Sequence, residues 1–315
     1  MPTTASPQKS LTVARLAALF LAIVTAATLV MALTTSVASA KSSHHRSRLA
    51  GRIQFRTNRR RGPVAHAAST TSTGSENWRP ASANGFTPLS DQQAAAGVIP
   101  TAENRPQNAG PNHYMPTSAQ LQTFRSATNN LGQSVLVANP YNRYVTGHYT
   151  GTTDEIIQWA AQKWGIPADV LRAEYVQESD WKMSQLGDLT TVTPAQYAQY
   201  PPQARVAGTD EVYESMGISQ IKWTPNGSVG AGTEPLRWES TAFNVDYQAA
   251  TVRFYYDDPG GARSDWGDST YSPGQAWNSI GGWYEPYPWL NQGQLNYVHE
   301  VQSQLSARRW TKAGF

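Results

Sequence analysis

Apolar side chains at helical spacing are the feature that most constrains this chain, and they are concentrated in its second half. Over Ile156–Trp164, and again over Phe243–Phe254 and Leu295–Leu305, apolar residues recur every three or four positions. No competing alternation of apolar and polar residues indicates strands, and no internal repeat is evident. The sequence therefore predicts a mainly α-helical domain with minimal β structure over residues 145–315.

The two helices that begin this domain have clear boundaries. Thr152 is a typical N-cap residue, and acidic residues follow it in the first turn. Pro167 opens the next helix, in which Leu171, Glu174 and Glu178 are spaced at i, i+3 and i+7. This spacing places both carboxylates on the same side of the helix as a large apolar residue.

The start of the chain has the features of an exported protein. Lys9 and Arg15 precede an apolar run over residues 16–33, and Ala38-Ser39-Ala40 has the small-x-small form of a cleavage site. We therefore predict a signal peptide over residues 1–40 and a secreted or cell-wall-associated protein. An uncleaved membrane anchor is the alternative, because the run approaches the length needed to span a bilayer.

Between the signal peptide and the helices, the composition predicts a segment without a core. Residues 41–61 are basic, and every one of the 22 acidic residues lies at or after Glu76. Such an arm attracts an anionic wall polymer or a membrane surface, and outside a cell nucleic acid is a poor candidate; a solvated arm without a partner is the alternative. Since residues 67–115 are rich in small and polar side chains, we predict a disordered linker over 41–115 and a transitional segment over 116–144.

Several chemistries are excluded or disfavoured by residue content. The chain has no cysteine, so disulfides, thiolate metal sites and cysteine nucleophiles are excluded. Of the six histidines, only His148 and His299 lie in the predicted domain, and they have no metal-ligand spacing. A nucleophile-elbow motif and a calcium-loop pattern are both missing. We therefore predict no metal and no cofactor.

The two helical carboxylates suggest acid catalysis. Cleavage of a glycosidic bond needs a carboxylic acid that is still protonated near neutral pH, because its proton goes to the leaving oxygen. Burial among apolar groups and a second carboxylate nearby both favour the protonated form. Glu178 meets both conditions, with Glu174 one turn earlier. Ordinary surface ion pairs are the alternative for both residues.

Three motifs in the predicted domain resemble those of a known family and occur in the same order. They are Glu178-Ser179, Met216-Gly217-Ile218-Ser219-Gln220-Ile221 and Ala276-Trp277-Asn278-Ser279. The series is similar to the catalytic Glu-Ser, the Gly-Leu-Met-Gln turn and the Ala-Tyr-Asn-x-Gly motif of the soluble lytic transglycosylases. These are lysozyme-like enzymes that cut bacterial peptidoglycan. The resemblance covers roughly residues 152–305.

The resemblance implies a lysozyme-like fold and a reaction without water. Glu178 would act alone as acid and then base on the MurNAc-GlcNAc β-1,4 bond of peptidoglycan glycan strands. The acetamido group of the muramic residue would assist, and its 6-hydroxyl would close a 1,6-anhydroMurNAc end. The implied binding positions are Ser179, Gly217, Ile218, Ser219, Gln220 and Asn278. We expect the protein to be a monomer.

The chain departs from the family pattern at the third motif and in one connection. The family's tyrosine, whose hydroxyl approaches the catalytic Glu, is Trp277 here, so we expect Tyr284 or Tyr175 to replace it. The connection between the first two motifs is also much longer than usual. Aromatic residues cluster near the third motif, and we predict that Trp277, Trp283 and Tyr284 bind sugar. For Trp283 and Trp289, a position in the core is an equal alternative.

Two other functions stay open at the level of the sequence. One is a hydrolytic lysozyme of the same fold, in which Asp180, Asp188 or Glu214 positions a water molecule. The other is a catalytically weak wall-binding protein, which would be consistent with the missing tyrosine and the long basic tether.

Overall fold

The computed structural model describes residues 77–225, 227 and 230–315. Helices make up most of the regular structure, so the prediction of a mainly α-helical domain is confirmed. The predicted signal peptide and the predicted basic arm lie outside the described residues. Within the described part of the chain, no helix is long and apolar enough to cross a membrane.

The regular elements are numbered in chain order. The α-helices are α1 (Asp91–Ala95), α2 (Ala109–His113), α3 (Ser118–Ser126), α4 (Val135–Ala138), α5 (Thr153–Trp164), α6 (Ala168–Ser179), α7 (Pro194–Tyr197), α8 (Leu236–Glu239), α9 (Thr241–Asp257), α10 (Ala276–Tyr284) and α11 (Gln292–Ala307). Short 3-10 helices lie at Pro106–Asn108, Pro140–Tyr144, Pro202–Ala204, Pro259–Gly261, Ser264–Trp266 and Arg309–Thr311. The strands β1 (Leu186–Thr191), β2 (Glu211–Met216) and β3 (Ile221–Lys222) form an antiparallel sheet in the order β1-β2-β3.

The long helices α5, α6, α9 and α11 surround the main core. α5 packs against α9 and α6, and α6 packs in turn against α11. The predicted start of α5 is confirmed, because Thr152 forms a capping box with Glu155. α5 ends at Gly165, whose φ of 62° lies in the left-handed region that glycine adopts without strain. These caps fix the direction in which the chain enters α6.

Residues 77–115 are ordered, so the prediction of a disordered linker is wrong for this stretch. Trp78 stacks on Tyr256 with ring centroids 4.5 Å apart, and Phe86 is buried beside Trp164. Residues 77–315 belong to one compact unit, which therefore includes 77–144 as well as the predicted 145–315. The prediction failed because each apolar side chain fills a separate site on the helical core, and single anchors of this kind produce no periodicity in the sequence.

The small sheet agrees with the prediction of minimal β structure, but the positions of its strands were not predicted. The long connection between the first two motifs contains all of β1 and most of β2. β1 pairs with β2 in a register that places Leu189 opposite Tyr213. β1 contains Gly187 and Asp188, which have low strand propensity, and its burial does not alternate. Its stability comes from pairing with β2, whose Val212 and Met216 belong to a second apolar cluster.

Candidate active site

Glu178 lies in the last turn of α6, where the chain reverses sharply. Just after the helix, Asp180 and Trp181 have φ values of 51° and 62°, which are unfavourable for residues other than glycine. Two distant side chains hold this turn, since Arg105 Nε donates to Asp180 O at 2.6 Å and Asn108 Nδ2 donates to Trp181 O at 2.7 Å. The segment predicted to be a linker therefore fixes the end of the helix that carries the candidate acid.

Tyr297 is the residue that holds the Glu178 carboxyl. Its hydroxyl lies 2.5 Å from Glu178 Oε1 and 3.5 Å from Glu174 Oε1. Tyr297 is buried on α11, in the same stripe as Val298 and Val301. The sequence places it at core spacing, but it contains no signal that its hydroxyl reaches a residue of α6.

Neither of the two tyrosines expected in this role takes it. The Tyr175 hydroxyl donates to Gln248 Oε1 at 2.7 Å, on the side of α6 that faces α9. Tyr284 stacks on Tyr297 with ring centroids 5.0 Å apart and an interplanar angle of 12°. It is 57% exposed, so its ring covers the tyrosine that contacts Glu178 and leaves one side open to solvent.

The environment of Glu178 favours the protonated carboxyl near neutral pH. Burial raises the pKa of Glu178 to about 8, and the negative charge of Asp188 acts in the same direction. The hydrogen bond from Tyr297 and the neighbouring Trp283 indole lower the pKa of Glu178, but they do not offset the burial. The Glu178 side chain nevertheless keeps some surface exposed, so a substrate can reach it. A reachable group that holds its proton at neutral pH has the properties of a general acid.

Glu174 is completely buried one turn before Glu178. Burial raises the pKa of Glu174 well above its usual range, and the charge of Glu178 adds to the effect. The neighbouring Gln248 amide and the Tyr297 hydroxyl lower the pKa of Glu174 only in part. A surface ion pair, the alternative considered from the sequence, does not fit a residue in this position.

The turn at Gly217 contacts the end of α6. Ser179 Oγ donates to Ile218 O at 2.8 Å. Gly217 has a φ of 86°, and a Cβ at this position would lie 2.3 Å from Asn244 Nδ2 and 2.7 Å from Arg237 O. Only glycine fits here, because both the conformation and the space exclude a side chain. Asn244 Oδ1 also accepts from the Ser219 backbone N–H at 2.8 Å and so fixes the turn from below.

Most of the turn's side chains point away from solvent. Ile218 and Ser219 are completely buried, whereas Gln220 is partly exposed. Gln220 Nε2 donates to Gly217 O at 2.7 Å. The carbonyl groups of Gly217, Ile218 and Ser219 all accept hydrogen bonds from side chains of the protein, so the turn offers a ligand mainly the Gln220 side chain. It acts mainly as a support between Ser179 and Asn244.

The helix α10, which begins with the third motif, contributes to the site through Trp283 more than through Asn278. Trp283 is partly buried, and its indole N–H donates to Ser219 O at 3.0 Å beside Glu178. Asn278 Nδ2 donates to Gln275 Oε1 at 2.5 Å, and its carbonyl accepts from Gln294, so it braces α10 against the start of α11. Trp277 is partly buried and packs against the main core.

Trp289 belongs to the core rather than to an open cleft, since it is only 2% exposed. It packs against Tyr255 and Tyr271, with ring centroids 6.3 Å and 5.0 Å away. The sequence left a cleft position and a core position open for both Trp283 and Trp289, and the structure places Trp289 in the core. Only Trp283 adjoins the candidate acid.

Three carboxylates were considered for positioning water, and they differ in their relation to Glu178. Asp180 pairs with Arg309 at 2.9 Å, and Glu214 pairs with Lys222 at 3.1 Å. Asp188 accepts from Ser215 Oγ at 2.6 Å, lies 3.5 Å from Lys222 Nζ and is about half exposed. Of the three, Asp188 alone is among the charges that raise the pKa of Glu178.

Neither a metal-binding cluster nor a similar known protein indicates what this site does. Within the described residues, no group of three or more His, Asp or Glu side chains is arranged to hold a metal ion. No family model, curated protein or solved structure matches the chain. Its function therefore has to be argued from the residues and their geometry.

Proposed function

We propose that this chain is an exported peptidoglycan lytic transglycosylase in which Glu178 is the single acid and base. The observation that carries the proposal is the Glu178 carboxyl itself. It is reachable, its pKa is about 8, and Tyr297 holds it in one orientation at 2.5 Å. The order of the three motifs supports the substrate class. The predicted signal peptide supports action outside the cell.

The proposed reaction begins with protonation of the leaving oxygen. Glu178 gives its proton to the glycosidic oxygen as the bond to C1 of the muramic residue breaks, and the acetamido oxygen bonds to C1. The Glu178 carboxylate then accepts the proton of the 6-hydroxyl, whose oxygen attacks C1 and displaces the acetamido oxygen. The product is a 1,6-anhydro ring, and Glu178 regains its proton. Water is not consumed.

The surrounding residues have separate roles in this proposal. The Tyr297 hydroxyl stabilises the carboxylate that forms between the two steps, because it donates a hydrogen bond to it. The Trp283 indole, which donates to Ser219 O, also favours the ionised form of Glu178. The open side of the Tyr284 ring is suited to stacking on a sugar. Gln220 is the partly exposed polar side chain of the turn, and its amide oxygen is suited to accept from the acetamido N–H.

The test is mass analysis of purified cell wall after digestion in isotopically labelled water. The proposal predicts fragments that end in 1,6-anhydromuramic acid and carry no label, and it predicts none with the Glu178→Gln variant. Reducing ends that carry oxygen from the labelled water would contradict the lyase reaction. A variant that releases the same fragments as the unchanged protein would contradict the role of Glu178.

A hydrolytic lysozyme is the second candidate, and one observation favours it. Asp188 lies on β1, close enough for its charge to act on Glu178, and about half of its side chain is exposed. In this reaction Asp188 would position the water that attacks C1. Asp188→Asn separates the two functions. It would abolish hydrolysis, whereas a transglycosylase would keep its products and show only a lower pKa of Glu178.

A further inference from the structure

Glu174 has no part in the proposed reaction, yet its position is unusual for a carboxyl. It is completely buried on α6, one turn before Glu178, and its Oε2 atom makes no hydrogen bond in the described part of the chain. Burial of an ionised carboxyl is costly unless a cation or several donors compensate for it. Glu174 is therefore expected to be neutral, because no compensating group would stabilise its ionised form.

The Tyr297 hydroxyl connects the two carboxyls and has only one proton to donate. The contact with Glu178 Oε1 is 2.5 Å, and the contact with Glu174 Oε1 is 3.5 Å. The shorter distance indicates that the proton goes to Glu178. The hydroxyl oxygen is then free to accept a hydrogen bond. Glu174 can supply that bond only if it is itself protonated.

The groups around Glu174 provide no positive charge. Glu178 lies one turn along the same helix, Gln248 faces it from α9 and Tyr297 faces it from α11, and none of these groups is a cation. Tyr175, the next residue on α6, donates to Gln248, and burial raises its pKa. Glu178 in turn faces Asp188, whose charge is negative.

We propose that Glu174 is a positioning residue that stays protonated and donates its hydrogen to the Tyr297 hydroxyl, which in turn donates to Glu178. Such a chain has one direction, and each donor strengthens the next. It would hold the Tyr297 hydroxyl toward Glu178 throughout the reaction. The consequence for catalysis rests on the function proposed above, whereas the charge state of Glu174 does not.

A neutral Glu174 also allows Glu178 to ionise. After it gives up its proton, Glu178 carries a negative charge one turn from Glu174. Two ionised carboxylates at this spacing would repel each other, and the first proton would be harder to release. A neutral donor at position 174 avoids this repulsion and supports the tyrosine that stabilises the charge.

Titration of the resting protein tests the charge state without any substrate. The carboxyl carbon signals of isotope-labelled glutamate would be followed by NMR against pH, with Glu178→Gln and Glu174→Gln used for assignment. We expect Glu174 to stay protonated across the range in which Glu178 titrates. We also expect Glu174→Gln to leave the midpoint of Glu178 within about half a pH unit, because a neutral donor replaces a neutral donor. A fall of about one unit or more would show that position 174 is normally charged, and it would overturn the proposal.

Activity on purified wall tests the positioning role. Glu174→Gln keeps a donor and should retain kcat within about threefold, whereas Glu174→Leu has no donor and should lose about tenfold in kcat, since the loss of a hydrogen bond to a neutral group is small. KM should change little in both. Equal loss in the two variants would overturn the donor role. Glu300→Gln is the matched control, because Glu300 accepts from Gln177 across the same pair of helices at 2.8 Å and is exposed.

The two levels of the proposal fail separately. If the unchanged protein does not cleave the wall but Glu174 stays protonated in the titration, the proposed function is refuted and the neutral state of Glu174 is supported. Wall that the unchanged protein cleaves, together with a Glu174 that ionises before Glu178, would support the function and refute this inference.

Discussion

Replacement of Tyr297 by phenylalanine removes the hydroxyl that holds the candidate acid and leaves the ring in place. The hydroxyl lies 2.5 Å from Glu178 Oε1, and its hydrogen bond lowers the pKa of Glu178. Loss of this bond destabilises the carboxylate and not the neutral acid. The pKa of Glu178 must therefore rise above its value of about 8.

The size of the effect follows from the type of bond. A hydrogen bond to a charged group contributes about 1.5–3 kcal/mol, and 1.36 kcal/mol corresponds to about one pKa unit. The alkaline limb of the pH–activity profile, where Glu178 loses its proton, should move upward by about 1–2 units. Below that limb, kcat should fall by about 10- to 100-fold, because the carboxylate formed in the first step is less stable.

The assay is release of soluble wall fragments across a pH series. Tyr141→Phe is the matched control, because the Tyr141 hydroxyl is a buried donor to another carboxylate, Asp257, at 2.8 Å and lies outside the candidate site. This control should lower stability without moving the alkaline limb. A Tyr297→Phe profile with an unchanged or lower alkaline limb would refute the assignment of Glu178 as the acid that Tyr297 stabilises.

Three further predictions concern stability and are checked by thermal or denaturant unfolding. Glu178→Gln should stabilise the protein by roughly 1–3 kcal/mol at pH 7, because at this pH the unfolded chain ionises Glu178 and the folded protein keeps it protonated. Below about pH 4 the residue is protonated in both states, so the variant should not change stability. Equal effects at both pH values would contradict this. Gly217→Ala should cost about 2–4 kcal/mol, and Gly208→Ala, with a similar φ but open space, about 1 kcal/mol. Trp78→Ala should cost about 3–5 kcal/mol and the exposed Ile99→Ala less than about 0.5 kcal/mol; a Trp78 variant as stable as the Ile99 variant would show that residues 77–115 do not support the core.

The features that the sequence predicted correctly depend on short-range patterns. The start of α5 follows from Thr152, a capping residue that directly precedes the helix. The proximity of Glu174 and Glu178 follows from helical spacing alone. Each of these predictions needed few residues and no knowledge of distant packing.

The features that were missed depend on contacts between distant parts of the chain. Tyr297 and Glu178 are 119 residues apart in sequence, and nothing near either residue indicates the other. Trp78 is a single aromatic residue in a polar stretch, and only its stacking on Tyr256 reveals that the stretch is ordered. β1 contains residues of low strand propensity and is stabilised by its pairing with β2.

The most direct test of the central claim is the release of soluble glycan fragments from purified cell wall by the unchanged protein and by Glu178→Gln, both verified as folded. If Glu178 is the acid that starts cleavage, the unchanged protein releases fragments and the variant releases none above background, although both bind the wall. Equal release by the two proteins, or binding without release by both, would contradict the account. The second result would favour a wall-binding protein.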